Sequence, residues 1–323
     1  MIWLAWLIFV PLQMLWLPLS ILGGLLVAYK QVWVSRKLGL SQTAVEVVNG
    51  RWTADLFGLR GDPPSRRLAG KLPNNSVLGL YLALLPLLIA KIIAGRPIIY
   101  PILPEDGKAG IASIVFSRTR RLDGLIADRT SDVGQLVVLG AGLDARCYGS
   151  LANEGLAMFE LDQASVQRAK RMAVKRAKLA SERVHYIEAD FAQPQWIASL
   201  TASSYDPSLK TIFIWEGVTL YLSEADVRAT LAAIKANAAV GSVVLLDLYA
   251  ARFLALAGRG AAGKTLEATG EPLRFGLDLS EDPEAVLAAF ATSTGLCLGR
   301  HYFMGSAHPK GPFMVVAELV IDA

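Results

Sequence analysis

From Met1 to Tyr29 no side chain carries a charge, and this run constrains the chain more than any other feature. So long an apolar stretch must be buried in protein or in lipid, and a bilayer span takes about 20 predominantly apolar residues. Trp3, Trp6, Trp16 and Trp33 punctuate it, as tryptophans do near membrane interfaces. Pro11 and Pro18 are tolerated in lipid-embedded helices. The run has no basic n-region before it and is too long for the apolar part of a signal peptide. It is expected to form a membrane anchor helix over residues 1–35.

Lys30, Arg36, Lys37, Arg51, Arg60, Arg66, Arg67 and Lys71 follow the run, which places that side in the cytoplasm. A second apolar stretch, Val77–Ile93, contains Pro86 and Lys91. If it also spanned, the basic block at 30–71 would be stranded on the far side. It is therefore expected to lie at the interface, or to cover an apolar pocket, within a helical cap over residues 36–109.

Net charge is +4 and 53% of residues are hydrophobic, an excess concentrated at 1–35 and 76–95. Arg168, Lys170, Arg171, Lys175, Arg176 and Lys178 follow helical spacing, so they read as a solvated face and no nucleic-acid partner is expected. Cys147 and Cys297 belong to no CxxC or Cys/His cluster, so neither a metal site nor a disulfide framework is expected.

From about residue 110 the pattern changes. Short apolar or β-rich runs at 135–139, 156–161, 184–188, 211–215 and 242–248 alternate with helical stretches at 163–179, 223–238 and 283–293. A last strand, 313–321, closes the chain as part of a β-hairpin. Such alternation predicts a Rossmann-like α/β domain over 110–323, with a mainly parallel sheet and right-handed crossovers.

The first of these strands runs into Gly140-Ala141-Gly142-Leu143-Asp144-Ala145. Glycines belong where a turn is tight and where backbone approaches a ligand closely. Gly140, Gly142 and Ala145 fit the G-x-G-x-x-A dinucleotide pattern, and Asp162 supplies the acid about 20 residues on. That carboxylate suits the ribose hydroxyls of any adenosine cofactor. Asp190 and Phe191, ending the third strand, suit an adenine amino group and ring face. Glu216 closes the fourth strand, where a charge is costly to bury unpaired, so it reads as a site residue.

The runs Val138–Arg146, Glu160-Leu161-Asp162, Asp190-Phe191 and Trp215–Leu222 resemble the leucine carboxyl methyltransferase family, more closely its bacterial O-methyltransferase branch. Arg118-Thr119-Arg120 with Asp123 resembles that family's upstream motif, and Ser41, Thr43, Ala44 and Arg51 resemble its N-terminal helix. Arg121-Leu122 departs from it, standing where aromatic residues are expected. The resemblance implies a class I fold and transfer of a methyl group from S-adenosyl-L-methionine to an oxygen. It implies Arg118 on the methionine carboxylate, Gly140 and Gly142 at the cofactor backbone, and Asp162 on the ribose. Asp190 and Phe191 would hold adenine, with Glu216 near the methionine amine.

A carboxylate acceptor needs no base, being ionised at neutral pH, and Tyr221 and Arg146 would orient it. A hydroxyl acceptor would need one, for which His301 and His308 are the candidates. The membrane segment favours an apolar or lipid-like acceptor. Two alternatives remain: an NAD(P)-dependent oxidoreductase, suggested by G-x-G-x-x-A with Asp162, and a non-catalytic membrane-anchored scaffold. Oligomeric state is not legible.

Overall fold

The computed structural model describes residues 1–153, 155–260, 263, 266 and 270–322. Gln135–Leu139 forms β1, buried at every position, as expected of a strand covered on both faces. Around it lie β2 (Ala157–Asp162), β3 (Val184–Glu188), β4 (Thr211–Trp215) and β5 (Val243–Tyr249), all parallel. The hairpin of β6 (Cys297–Met304) and β7 (Met314–Val320) completes a seven-stranded sheet of order β3-β2-β1-β4-β5-β7-β6, with β7 antiparallel to β5. The expected strands are present to within a residue. Chain order reverses between β2, β1 and β4, and in open α/β sheets ligands bind outside the strand ends at such a switch point.

Two apolar cores flank the sheet. One holds Leu136, Val138 and Leu245, and the other Val137, Leu139 and Leu246. Strand alternation divides β1 between them.

At the N-terminus α1 (Ile2–Ala28) continues through a π-helical segment, Tyr29–Val34, into α2 (Ser35–Leu38). Gly39, at φ +63°, ends the run. Ser41 then caps α3 (Gln42–Phe57), its Oγ accepting from the Ala44 N–H at 2.9 Å. Val45, Val48 and Trp52 of α3 lie in the same core as β1, so the cap region is continuous with the sheet domain.

α4 (Pro63–Ala69) precedes α5 (Val77–Ala94). α5 uses two faces. On one, Gly79 meets Gly23 of α1 so closely that a Cβ on Gly23 would stand 2.5 Å from the Gly79 carbonyl oxygen. The Trp16 indole N–H also donates to the Leu82 carbonyl at 2.9 Å. On the other face Leu80 enters the core and Tyr81 meets Trp52 edge-on at 5.0 Å. Near the far end of α5 the Lys91 ammonium comes within 3.9 Å of the Cβ position of Gly58, just past α3. α5 thus lies against the domain, and α1 packs on it. No residue of 77–94 lines the cavity described below. α1 remains largely uncovered, with Trp3 88% and Leu15 82% exposed.

Candidate active site

The loop after β1 is shaped by its glycines. Gly140 has φ +65°, and a Cβ there would stand 2.4 Å from Val218 Cγ2, so a side chain is excluded by conformation and by space. Gly142 (φ +43°) donates its N–H to Asp162 Oδ2 at 2.6 Å, while Asp162 Oδ1 accepts from the Gln163 N–H at 2.7 Å. A carboxylate has about four lone-pair sites, so Asp162 keeps acceptor capacity for a ligand. Burial raises its pKa, partly offset by these two backbone bonds.

Beneath the loop sits a charge that the helical spacing had placed in solvent. Lys170, in α7 (Ala164–Ala177), is 1% exposed. Its ammonium lies 2.8 Å from Glu160 and donates to the Ala141 carbonyl at 3.2 Å. The register of α7 on the sheet turns this one lysine inward and fastens the loop from below.

Asp190 follows β3, exposed, with its carboxylate accepting from the Ala192 N–H at 3.0 Å. Phe191 is buried against Trp196 and Trp215, at centroid distances of 5.3 and 6.4 Å. Glu216 follows β4 and gathers three guanidiniums: Arg51 at 2.8 Å, Arg118 at 2.9 Å and Arg146 at 2.5 Å. Burial opposes its ionisation, but these three cations overcome that and hold its pKa far below the usual carboxylate range.

Arg118, from α6 (Ile114–Arg129), also bonds Asp247 at 3.0 Å and the Tyr249 hydroxyl at 2.6 Å. Asp247 in turn accepts from the Gly217 N–H at 2.8 Å. Arg51 and Arg146 share Asp144, at 2.7 and 2.5 Å, and Arg146 reaches Asp123 at 2.8 Å.

One cavity of about 320 Å³ opens at the switch point. Of the residues expected at the site, Arg118, Gly140, Gly142, Asp162, Asp190, Phe191, Glu216 and Tyr221 all line it. Arg146 does not: its side chain is 3% exposed and spent on Asp123, Asp144 and Glu216, behind the wall rather than in it. His301 and His308, the candidate bases, are not on the wall either, and His301 faces Glu284 at 2.7 Å.

The wall holds residues not expected there. Arg51 joins it from α3, as do Ser41 and Thr43, whose hydroxyls each donate to Glu271 at 2.6 Å. Tyr221 stands in the same mouth, its pKa pushed up by burial and by the charge of Glu271. Nothing local in the sequence signalled that α3 would roof the strand ends. Among the described residues no group of His, Cys, Asp and Glu could hold a metal ion.

Residues 103–235 match the family model described as leucine carboxyl methyltransferase. A protein of Streptomyces avermitilis, provisionally named an S-adenosyl-L-methionine-dependent methyltransferase, is 35% identical over 156 residues, covering 46% of this chain and 54% of that one. A protein of Saccharopolyspora erythraea with the same provisional name is 31% identical over 202 residues, covering 58% of this chain and 68% of that one. The chain spans about half the length of the curated relatives it matches first. Among solved structures, a provisionally assigned methyltransferase from Thermobifida fusca aligns over 80% of this chain and 92% of its own, at 16% identity and a TM-score of 0.48.

Proposed function

Because the chain belongs to the leucine carboxyl methyltransferase family, we propose that it methylates a carboxylate or hydroxyl oxygen of an apolar, membrane-associated small molecule, with S-adenosyl-L-methionine as donor. The observation that carries this reading is the order of the cavity wall. Asp190 and Phe191 provide an acceptor and an apolar face, Asp162 a carboxylate with spare lone pairs, and Gly140 a backbone free of side chain. Arg118 and Glu216 provide opposite charges suited to an amino acid's carboxylate and amine. The volume, about 320 Å³, falls within the usual range for small-molecule sites. These residues fit the cofactor.

When bound, the cofactor would supply an electrophilic methyl group for the acceptor oxygen. The chain's own residues then bind, orient and exclude water. Asp162 accepts from ribose hydroxyls while Gly142 and Gln163 hold it in place. Glu216 receives the amine, its ionised state secured by Arg51, Arg118 and Arg146. Arg146 is thereby a positioning residue and not one that touches the acceptor. Tyr221 remains the candidate to orient the acceptor oxygen, its raised pKa keeping the phenol protonated and able to donate.

The bare length of α1, its tryptophans and the basic residues beyond it support a membrane-associated protein whose catalytic domain faces the cytoplasm. A donor cavity whose lining includes Gly39 and Leu40, directly after α2, suits an acceptor drawn from that membrane.

Calorimetric titration of detergent-purified protein with S-adenosylhomocysteine, and with NADH in parallel, tests the cofactor. Micromolar binding of the first, weakened in Asp162→Ala and absent for NADH, supports the reading and leads to a labelled-methyl screen of lipid extracts. Binding of NADH alone would overturn it.

A further inference from the structure

By length alone α1 could cross a bilayer, since its 27 residues reach about 40 Å against a hydrocarbon core of about 30 Å. Its packing points elsewhere. Val27 lies beside Gly79 and Gly23 beside Ala83, so α1 runs antiparallel along α5. The two make the most extensive contact of any pair of described helices, and what holds α5 therefore holds α1.

The domain holds α5 at both ends. Just before its first turn, Asn74 Nδ2 donates to Ser35 Oγ at 2.9 Å and Asn75 Nδ2 to the Ala69 carbonyl at 3.0 Å. Leu80 then enters the core and Tyr81 meets Trp52 of α3. Ten residues on, about 15 Å further along the axis, Lys91 stands beside Gly58, just past α3. α5 thus lies along the flank of the domain instead of pointing away from it, and α1 forms the outer layer. Leu7, Met14 and Leu25 of α1, with Leu78 and Ile92 of α5, are left exposed.

Charge indicates what covers this surface. Residues 1–45 and 63–104 contain no Asp or Glu, yet they include Lys30, Arg36, Lys37, Lys71, Lys91 and Arg96. Cations border the helix pair at both ends: Lys30 donates to the Pro73 carbonyl at 3.0 Å near the start of α5, and Lys91 and Arg96 stand at its finish. An apolar strip flanked this way suits anionic lipid headgroups. A second copy of the chain would bring the same cations together, with no acid from these segments to meet them. Were the pair to cross the membrane, Lys91 and Arg96 would be carried to the far side, against the bias that keeps basic residues cytoplasmic.

We propose that α1 lies flat in the leaflet facing the catalytic domain, as the outer layer of a two-helix platform with α5, and does not cross the membrane. Both ends of α1 are then on the side of that domain. This geometry rests on the chain being membrane-associated, as proposed above, and fixes the side on which its N-terminus lies.

The test labels cysteines with a membrane-impermeant maleimide in spheroplasts and in inverted membrane vesicles of an expressing bacterium. In the unaltered chain the exposed Cys297 reports the side of the catalytic domain, Cys147 being buried. In a second chain, carrying Cys297→Ser, a short polar N-terminal extension with one cysteine reports the start of α1. Both reporters are expected to label in the same preparation, inverted vesicles for a cytoplasmic domain. Labelling of the extension in one preparation and of Cys297 in the other would mean that α1 crosses, which overturns the flat placement and leaves membrane association intact. Recovery of the chain in the soluble fraction of a detergent-free lysate would overturn membrane association itself. A dimer in that fraction by size-exclusion chromatography would mean that a second copy covers α1.

Discussion

Replacing Glu216 with glutamine removes one negative charge from a buried set that otherwise balances, with Arg51, Arg118 and Arg146 facing Asp144, Glu216 and Asp247. The side chains of Arg51, Arg118, Arg146 and Glu216 are 3–6% exposed, so solvent does little to screen the imbalance. Breaking a buried ion pair by deleting one partner costs about 3–5 kcal/mol, because the other charge is left uncompensated. For a domain of this size each kcal/mol shifts the melting temperature by about 2–4 °C, so Glu216→Gln should melt roughly 6–20 °C lower. The companion variant Arg146→Met removes a cation, and the double variant restores the charge balance. If the cluster acts electrostatically, the double variant should be destabilised by at least about 1 kcal/mol less than the two single effects added. Thermal melts of detergent-purified protein, followed by circular dichroism, read all four species. The sign with pH follows from the depressed pKa of Glu216. Its contribution is fully present above the unfolded-state pKa and is lost as pH falls through the lower folded value, so wild type and Glu216→Gln should converge only in strong acid. A Glu216→Gln melt within about 2 °C of wild type, or strict additivity of the two substitutions, would refute the reasoning.

Three further outcomes follow from the geometry. Ligand hydroxyls that donate to Asp162 lower its pKa from the raised value of the free protein, so cofactor affinity should be full above that value and fall as pH drops through it. Calorimetry of S-adenosylhomocysteine against pH should show this, with the dependence absent in Asp162→Asn. Gly140→Ala sets a Cβ 2.4 Å from Val218 Cγ2 at φ +65°; it should cost about 1–3 kcal/mol in strain and cut S-adenosylhomocysteine affinity, with Val218→Ala restoring part of the packing loss in the same titration. Gly23→Ile should separate α1 from α5, because even a Cβ there meets the Gly79 carbonyl at 2.5 Å and the Ala83 nitrogen at 2.8 Å. Limited proteolysis should then cut near Ser76 faster than in wild type, and equal cleavage rates would mean the pair does not depend on that contact.

What could be read from the sequence and what could not divide along physical lines. The sheet was legible because each strand carries its own signal: after one polar residue, β1 and β4 are apolar runs that end at Gly140 and Glu216, and strands buried on both faces need no partner to declare themselves. The cavity wall at the strand ends was legible for a related reason. Asp162, Asp190 and Glu216 all sit just where a strand ends, and in a parallel sheet those ends share one edge, so local position alone brings them together. The charge network is different. Glu216 meets Arg51, Arg118 and Arg146 across separations of 165, 98 and 70 residues, and no periodicity reports a pairing at that range. Arg146 was therefore placed at the acceptor, although it lies behind the wall, and Arg51 was noticed only in the basic block and in the N-terminal helix motif, not as a residue of the cavity wall. Lys170 shows the same limit at shorter range. Helical spacing groups it with five other basic residues, yet the choice of which one faces Glu160 is made by how α7 seats on the sheet. Residues that build a site from strand ends are thus visible one at a time. Residues that hold those in place are chosen by packing, and they become visible only once the elements are assembled.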